Sequence, residues 1–410
     1  MTGNKTVQEK PDKTSQEQEH IAADLARLVD QYALALKAAG AIRSAAVEAA
    51  FRRVPRHQLI ERFYQGRVED IVEIDPSDPA HLALIYSNKA FTTRWWPAPS
   101  SSTLPTLMAL MLELLKLRPG MRVLEIGAGT GYNAALLAEL VGDQRLVTTL
   151  DLQEDVVTQT RRNLAAAGYG QIHVLARDGF AGYSDFAPYD RIVATVGCSD
   201  LSPHWLDQLA PDGFLLIPLA HGDVFSCPLT RVWHQKGRIY GRVVGYASFM
   251  AVRGELRRDA WLSEDDNLML SQLVNTSDPD TTYPLFEGLT DYPEPRPGLP
   301  SGQAAHLEFF YFLALHTSRT FWTWRGPGLG GTQGCVLLAD DSIQLYGNQA
   351  RACYRELDQI YHLWEQKGKP GMREYQLEFS PLPVSSEHKS VSGANSWTIN
   401  RKFFQQIVRL

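Results

Sequence analysis

The sequence predicts an α/β chain built around a doubly wound, mostly parallel sheet, with helices ahead of it and a smaller α+β module behind it. Three observations carry that expectation. Between residues 123 and 218, short apolar runs alternate with amphipathic helical patterns, the βαβα order that produces parallel sheets. The first of those runs passes directly into three glycines at alternate positions, in RVLEIGAGTGYNAALLA (122–138). The stretch NTSDPDTTYPLFEGLTDYPEPRPGLPSGQ (275–303) then breaks the periodicity with Pro, Asp, Thr and Gly, and a separate pattern follows.

Taken in order, residues 1–20 are polar and read as a solvated, disordered tail. From Ile21, Leu25, Leu28, Val29, Tyr32 and Leu36 recur at helical steps until Gly40 stops the run. A second helix is expected over 44–53. A third, PTLMALMLELLKL over 105–117, is introduced by Ser100-Ser101-Ser102-Thr103 and closed at Pro119-Gly120. Strand 123–126, helix 132–141, strand 146–150 ending in Asp151 and helix 154–167 come next, followed by strands 172–176, 191–195 and 214–218. Residues 229–246 read as a β-hairpin around Gln235-Lys236-Gly237. Beyond the break, Tyr354, Leu357, Tyr361 and Trp364 stripe a helix ending at Gly368, and YQLEF (375–379) alternates like a strand. The expected organisation is a domain over 21–250, an irregular crossing over 251–303 and an accessory module over 304–410.

Composition narrows the function. The 410 residues carry a formal charge of −6 with no Lys/Arg run and no aromatic-basic stripe, so nucleic acid finds no footprint. Cys198, Cys227, Cys335 and Cys353 lie far apart, without zinc-site spacing or disulfide density. They read as reduced core residues of a cytoplasmic protein that needs no metal. No apolar run approaches membrane-spanning length.

The glycine-rich turn between a first strand and first helix lets a ligand approach the backbone where a side chain would collide. A dinucleotide fingerprint places its third glycine three residues after the second, whereas here Gly127, Gly129 and Gly131 alternate and Tyr132 occupies that place. Glu125 adds a carboxylate at the strand end, a poor neighbour for a pyrophosphate but a suitable one for an ammonium. Asp151 closes the second strand, where a carboxylate can accept from both ribose hydroxyls. Asp178-Gly179, after a later strand, offers an acceptor for an adenine amino group and room for its ring. Each feature alone has a structural explanation as a strand end, helix cap or turn. Their order along successive strands favours S-adenosylmethionine.

With those residues in view, the chain resembles the protein-L-isoaspartate (D-aspartate) O-methyltransferase family. The resemblance rests on AFRRVPRHQLIERFY (50–64), LEIGAGTGYNAALLAELVG (124–142), RDGFAGYSDFAPYDRIVATVG (177–197) and LDQLAPDGFLLIPL (206–219). It implies a Rossmann-like class I methyltransferase sheet and transfer of a methyl group to an aspartyl or isoaspartyl carboxylate in a peptide or protein. The family positions its substrate with the hydroxyl of a Ser-x-Pro element. Thr103-Leu104-Pro105 stands there, and Ser100-Ser101-Ser102 replaces the family's Gly-Gln-Thr-Ile run. The resemblance therefore assigns the substrate-positioning hydroxyl to Thr103, or to Ser102 if the register differs by one, with Thr103 as a mere helix cap the other explanation.

An aspartyl carboxylate, with a reference pKa of about 4, is already ionised at neutral pH, so no general base is required. The next backbone nitrogen can then attack the carbonyl of the methyl ester and expel methanol, giving a succinimide. The segment after about Leu262 resembles the extension of homologues that form aspartimides in ribosomally made lanthipeptide- or lasso-type peptides. The resemblance thus implies a dedicated modified peptide as substrate, with general repair of isoaspartyl proteins or methylation of a small molecule as alternatives. Trp95-Trp96 are expected in the core, with the lining of a peptide groove as the alternative, and the stretch 396–404, with Trp397, Arg401 and Lys402, offers contacts for an acidic peptide.

Overall fold

The computed structural model describes residues 13–65, 70–96, 98–222, 227–257, 269–270, 272–274, 277–286, 289, 303–323, 325–339, 342–382, 393 and 395–410. Three helices come first: α1 (Lys13–Ala38), α2 (Ala45–Arg53) and α3 (Arg56–Leu59). Helix α1 begins inside the segment expected as a tail. Ser44 caps α2, its Oγ accepting from the Val47 N–H, while the Glu113 carboxylate accepts from the Arg43 and Ser44 N–H groups at 2.8 and 2.7 Å. Two small hairpins, β1 (Arg62–Tyr64) with β2 (Ile71–Glu73) and β3 (Phe91–Arg94) with β4 (Ser100–Ser102), flank α4 (Pro79–Ile85).

Helix α5 (Pro105–Leu115) leads to the alternating core: β5 (Val123–Ile126), α6 (Tyr132–Val141), β6 (Val147–Asp151), α7 (Glu154–Ala166), β7 (His173–Ala176), β8 (Tyr189–Ala194), α8 (Pro203–Asp207) and β9 (Leu209–Pro218). Helix α5 stops two residues before the expected Leu117, because Lys116 turns left-handed at φ 49°. The hairpin β10 (Cys227–Gln235) and β11 (Arg238–Ala247) follows as expected. A strand, β12 (Thr281–Pro284), lies within the expected crossing. Helix α9 (Gln303–His316), strands β13 (Thr320–Thr323), β14 (Gly326–Gly331), β15 (Gly334–Leu338) and β16 (Ser342–Tyr346), helix α10 (Ala350–Gln366) and strands β17 (Gln376–Pro381), β18 (Ser396–Asn400) and β19 (Phe404–Arg409) complete the chain.

Ten strands form one sheet in the order β18-β19-β17-β11-β10-β9-β8-β5-β6-β7. The β7-β6-β5-β8-β9 part is parallel, with every residue of β5 buried, as a strand covered on both faces requires. From β9 outward the pairing is antiparallel, and β17 joins β11 directly. Five strands, β12-β16-β15-β14-β13, make a second, antiparallel sheet.

Residues 304–410, expected as a smaller module, contribute to both sheets and to the cover of the first. Val123, Phe214 and Leu216 pack with the amino-terminal helices and α6 in one buried cluster. On the other face, Leu124, Leu215 and Ile217 share a cluster with Phe309 and Phe312 of α9 and Leu357 and Trp364 of α10. Truncation near Pro300 strips that face of its apolar cover, so the cut would disturb the core itself. All four cysteines are buried and none forms a disulfide. Among the described residues, no helix is long and apolar enough to cross a membrane and no group of three or more His, Cys, Asp or Glu could hold a metal ion.

Candidate active site

A cavity of about 420 Å³ opens at the carboxyl ends of β5, β6 and β8, where parallel strands leave their connecting turns free to meet a ligand. Ser102, Thr103, Glu125, Gly127, Gly129, Asp151 and Gly179 line it together. The glycines divide their labour. Gly127 has φ 103°, and a Cβ there would lie 2.7 Å from Thr195 Oγ1. Gly129, at φ 52°, passes so close to β4 that a Cβ would sit 3.2 Å from the Ser101 carbonyl oxygen. Gly131 lies outside the cavity lining: at φ 83° it starts α6 and faces Leu164 Cγ and Thr160 Cγ2 of α7, where a Cβ would come within 2.9 and 3.0 Å. Spacing alone gave these three equal standing, and packing separates them.

Two carboxylates stand beside the turn. Glu125 is fully buried and accepts from Asn133 Nδ2 and Thr149 Oγ1, each at 2.7 Å. Burial pushes its carboxyl up to about 7, against the pull of those two donors. Asp151 accepts from the Gly129 N–H at 3.3 Å and the Gln153 N–H at 3.1 Å, which ties the glycine turn to the end of β6. Burial raises its carboxyl as well, while the positive charges of Arg253 and Arg94 counteract the shift.

Asp178, expected to accept from an adenine amino group, stands next to the cavity lining. Its carboxylate accepts from the Phe180 and Glu255 N–H groups, each at 2.9 Å, and does not line the cavity, although the adjoining Gly179 does. A Cβ on Gly179 would meet Ile126 Cγ2 at 2.5 Å. Asp178 thus holds the wall that Gly179 forms.

Across the cavity, β4 pairs with β3 in a register that sets Ser102 opposite Phe91. Ser102 is 2% exposed, and its Oγ has no hydrogen-bond partner. Thr103 makes no side-chain cap to α5, whose N-cap is Leu104; Asn88 Oδ1 accepts instead from the Thr106 N–H at 3.1 Å. The capping explanation for Thr103 therefore lapses. Trp95 and Trp96 are 36% and 80% exposed, contrary to the expectation of burial. Trp96 instead edges a second cavity, of about 290 Å³.

Sequence reasoning missed Asn133, Thr149, Thr195 and Arg253. Asn133 sits in the quoted glycine motif one residue after Tyr132, a local signal that was available. Thr195 Oγ1 donates to the Gly127 carbonyl at 2.7 Å across 68 residues of sequence, a contact no spacing rule anticipates.

The chain is similar to known methyltransferases in sequence and in fold. The model of the family described as protein-L-isoaspartate(D-aspartate) O-methyltransferase matches residues 28–255. A protein-L-isoaspartate O-methyltransferase of Pyrococcus horikoshii is 34% identical over 221 residues, 54% of this chain and 90% of that protein. One from Thermococcus sibiricus is 39% identical over 185 residues, 45% of this chain and 74% of that protein. A solved structure titled protein-L-isoaspartate O-methyltransferase shares the fold with a TM-score of 0.51 and 23% identity, covering 85% of this chain and 96% of that one. That likeness of fold reaches well past residue 255.

Proposed function

Because the chain belongs to the protein-L-isoaspartate (D-aspartate) O-methyltransferase family, we propose that this cavity methylates the free carboxylate of isoaspartyl residues in peptides or proteins. The enzyme is an S-adenosylmethionine-dependent carboxyl O-methyltransferase, and when bound that cofactor supplies an electrophilic methyl group on a sulfonium. The observation that carries the reading is a juxtaposition. A turn with no space for a Cβ at Gly127 and two acids beside it face, across one cavity, a buried hydroxyl that no protein group satisfies.

These residues fit the cofactor. Gly127 and Gly129 give backbone access, Glu125 answers an ammonium, Asp151 accepts from ribose hydroxyls and Gly179 leaves room for a flat ring. Asp178 and Gly131 act one step back, through the loop and the helix they anchor. Ser102 and Thr103 donate to the carboxylate oxygen that does not react, holding the other in line. Aligned proximity of this kind supplies several kcal/mol without a proton transfer. Among the described residues lining the cavity there is no histidine or lysine, which suits an acceptor that arrives ionised better than a phenol or an amine.

The test is direct: labelled S-adenosylmethionine with an isoaspartyl peptide and its aspartyl counterpart, read by mass spectrometry for the methyl ester and the succinimide. Methylation of the isoaspartyl peptide alone supports the reading, and methylation of neither overturns it. A second reading, dedication to one modified ribosomal peptide, is favoured by Ser100-Ser101-Ser102 in place of the family run. It predicts that isoaspartyl peptides of arbitrary sequence are poor substrates beside that peptide.

The raised Glu125 carboxyl makes cofactor binding pH-dependent. Its folded-state pKa of about 7 lies above the unfolded value, so its contribution to ligand-free stability is present below about pH 4.5 and is lost as pH rises to 7. Holding an ammonium requires the ionised form, so affinity moves the opposite way. S-adenosylhomocysteine should bind about tenfold more weakly at pH 6 than at pH 8. In Glu125→Gln binding should be weaker and nearly flat with pH. Calorimetry at the two pH values checks both, and an equal pH dependence in the variant would remove Glu125 from the site.

A further inference from the structure

The turn joining β18 to β19 points inward. Asp200, fully buried, accepts from the Phe403 N–H at 2.5 Å, the Phe404 N–H at 3.2 Å and the Leu201 N–H at 2.7 Å. The Arg401 guanidinium donates to the Ser199 and Ala220 carbonyls at 2.6 and 2.9 Å. The carboxy-terminal hairpin is thereby fixed to the loop that follows β8. Arg401 and Lys402, expected to meet an acidic peptide, have their charges engaged within the chain.

From this turn, two contacts reach the walls of the cavity. The Phe403 ring stacks on Phe180, with centroids 4.9 Å apart and planes inclined by 28°. Phe180 follows the cavity-lining Gly179 and donates its N–H to Asp178. Lys402 Nζ donates to the Glu255 carboxylate at 2.6 Å and to its carbonyl at 2.9 Å, across 147 residues of sequence. Glu255 in turn donates its N–H to Asp178, and Arg253, two residues earlier, lines the cavity. The two loops therefore meet at the Asp178 carboxylate, and each is also gripped by the turn. Both are single turns of 3₁₀ helix, 179–181 and 254–256, outside any sheet ladder, so tertiary contacts must set where they lie. Their fit is close: a Cβ on Gly254 would fall 2.2 Å from Asp178 Oδ2.

We propose that Lys402 and Phe403 are positioning residues for the cofactor end of the cavity. They hold the 178–180 and 253–255 walls at the separation the ligand needs, without touching it. The proposal rests on the cofactor-site reading above. It gives the carboxy-terminal hairpin a part in cofactor affinity as well as in the core. Neither residue lines the cavity.

The experiment measures S-adenosylhomocysteine binding by calorimetry on the full chain, beside thermal melting of the ligand-free protein. Lys402 and Glu255 form an ion pair with side chains 48% and 49% exposed, a kind that adds little to global stability. Lys402→Ala should melt like wild type yet bind about fivefold more weakly, the scale of coupling through residues that do not touch a ligand. Lys402→Arg should restore affinity, and Phe403→Ala should weaken binding further. In steady state, Lys402→Ala should raise KM for S-adenosylmethionine and leave KM for the peptide unchanged. Wild-type affinity in both Lys402→Ala and Phe403→Ala overturns the proposal. So does weakened binding in Lys402→Ala that tracks an equal loss of melting temperature. Wild-type protein that binds no S-adenosylhomocysteine overturns the cofactor-site reading and this proposal with it.

Discussion

Gly127→Ala is expected to weaken S-adenosylhomocysteine binding by about 100-fold, or roughly 2.7 kcal/mol. The backbone at Gly127 has φ 103°, beyond the left-handed region that other residues tolerate, so any side chain there carries strain on the order of 1–3 kcal/mol. Space is also lacking, with Thr195 Oγ1 at 2.7 Å and Val196 Cγ1 at 3.1 Å from the added carbon. Thr195 cannot yield cheaply, because its hydroxyl donates to the carbonyls of Ile126 and Gly127 and so closes β8 against β5. The methyl must therefore displace the turn into the cavity or pry the strand ends apart. Gly131→Ala is the matched control: it is equally strained and crowded, at φ 83° with Leu164 Cγ 2.9 Å away, but it faces α7 and not the cavity. It should lower the melting temperature while keeping most of the affinity. If the two variants lose affinity in proportion to their loss of stability, the turn is merely structural and the cofactor must lie elsewhere.

That contrast shows what the sequence could disclose. The alternation of β5, α6, β6 and α7 was legible because a buried strand and an amphipathic helix write their periods into adjacent residues. Glu125, the glycine turn and Asp151 were legible for the same reason, each lying at the end of a strand that could be located. What escaped was non-local. Strand β17 pairs with β11, joining Leu377 to Gly241, and nothing near either residue records the partner. The break before α9 therefore read as the edge of a separate module, although Phe309 and Trp364 pack on the same side of the sheet as Leu124.

Asp178 was located as a strand-end acid, but its second backbone donor, Glu255, is 77 residues away and left no local signal. Trp96 was misjudged because the average burial of aromatic side chains says little about one residue in a short connection between two strands. The choice between Ser102 and Thr103 turned on how the sequence registers with the family's Ser-x-Pro element, and both residues line the cavity. The pairing of Ser102 with Phe91 accompanies a buried Oγ with no partner, a signal that sequence spacing does not carry.

The unsatisfied Ser102 hydroxyl sets the second large effect. Ser102→Ala should lower kcat by about 100-fold, the scale seen when one preorganised donor is removed from a reacting site, while cofactor affinity stays near wild type. The argument begins from stability. A buried hydroxyl without a partner costs about 1–3 kcal/mol in a folded protein, so a serine kept at 2% exposure with an unsatisfied Oγ is a burden in the ligand-free state. Its removal should leave the melting temperature unchanged or higher, the reverse of what a serine that supports the fold would give. A substrate carboxylate entering the cavity would supply the missing acceptor. Thr103 lines the same cavity from the next position, so Thr103→Val should reduce turnover less, by about fivefold, and Thr103→Ser should retain it. Single-turnover measurements with saturating S-adenosylmethionine and an isoaspartyl peptide, paired with melting curves of the ligand-free variants, separate the outcomes. A collapse of turnover in Thr103→Val together with wild-type rates in Ser102→Ala would move the positioning hydroxyl to Thr103. A drop in melting temperature for Ser102→Ala would show that its hydroxyl is satisfied within the fold and unavailable to the substrate.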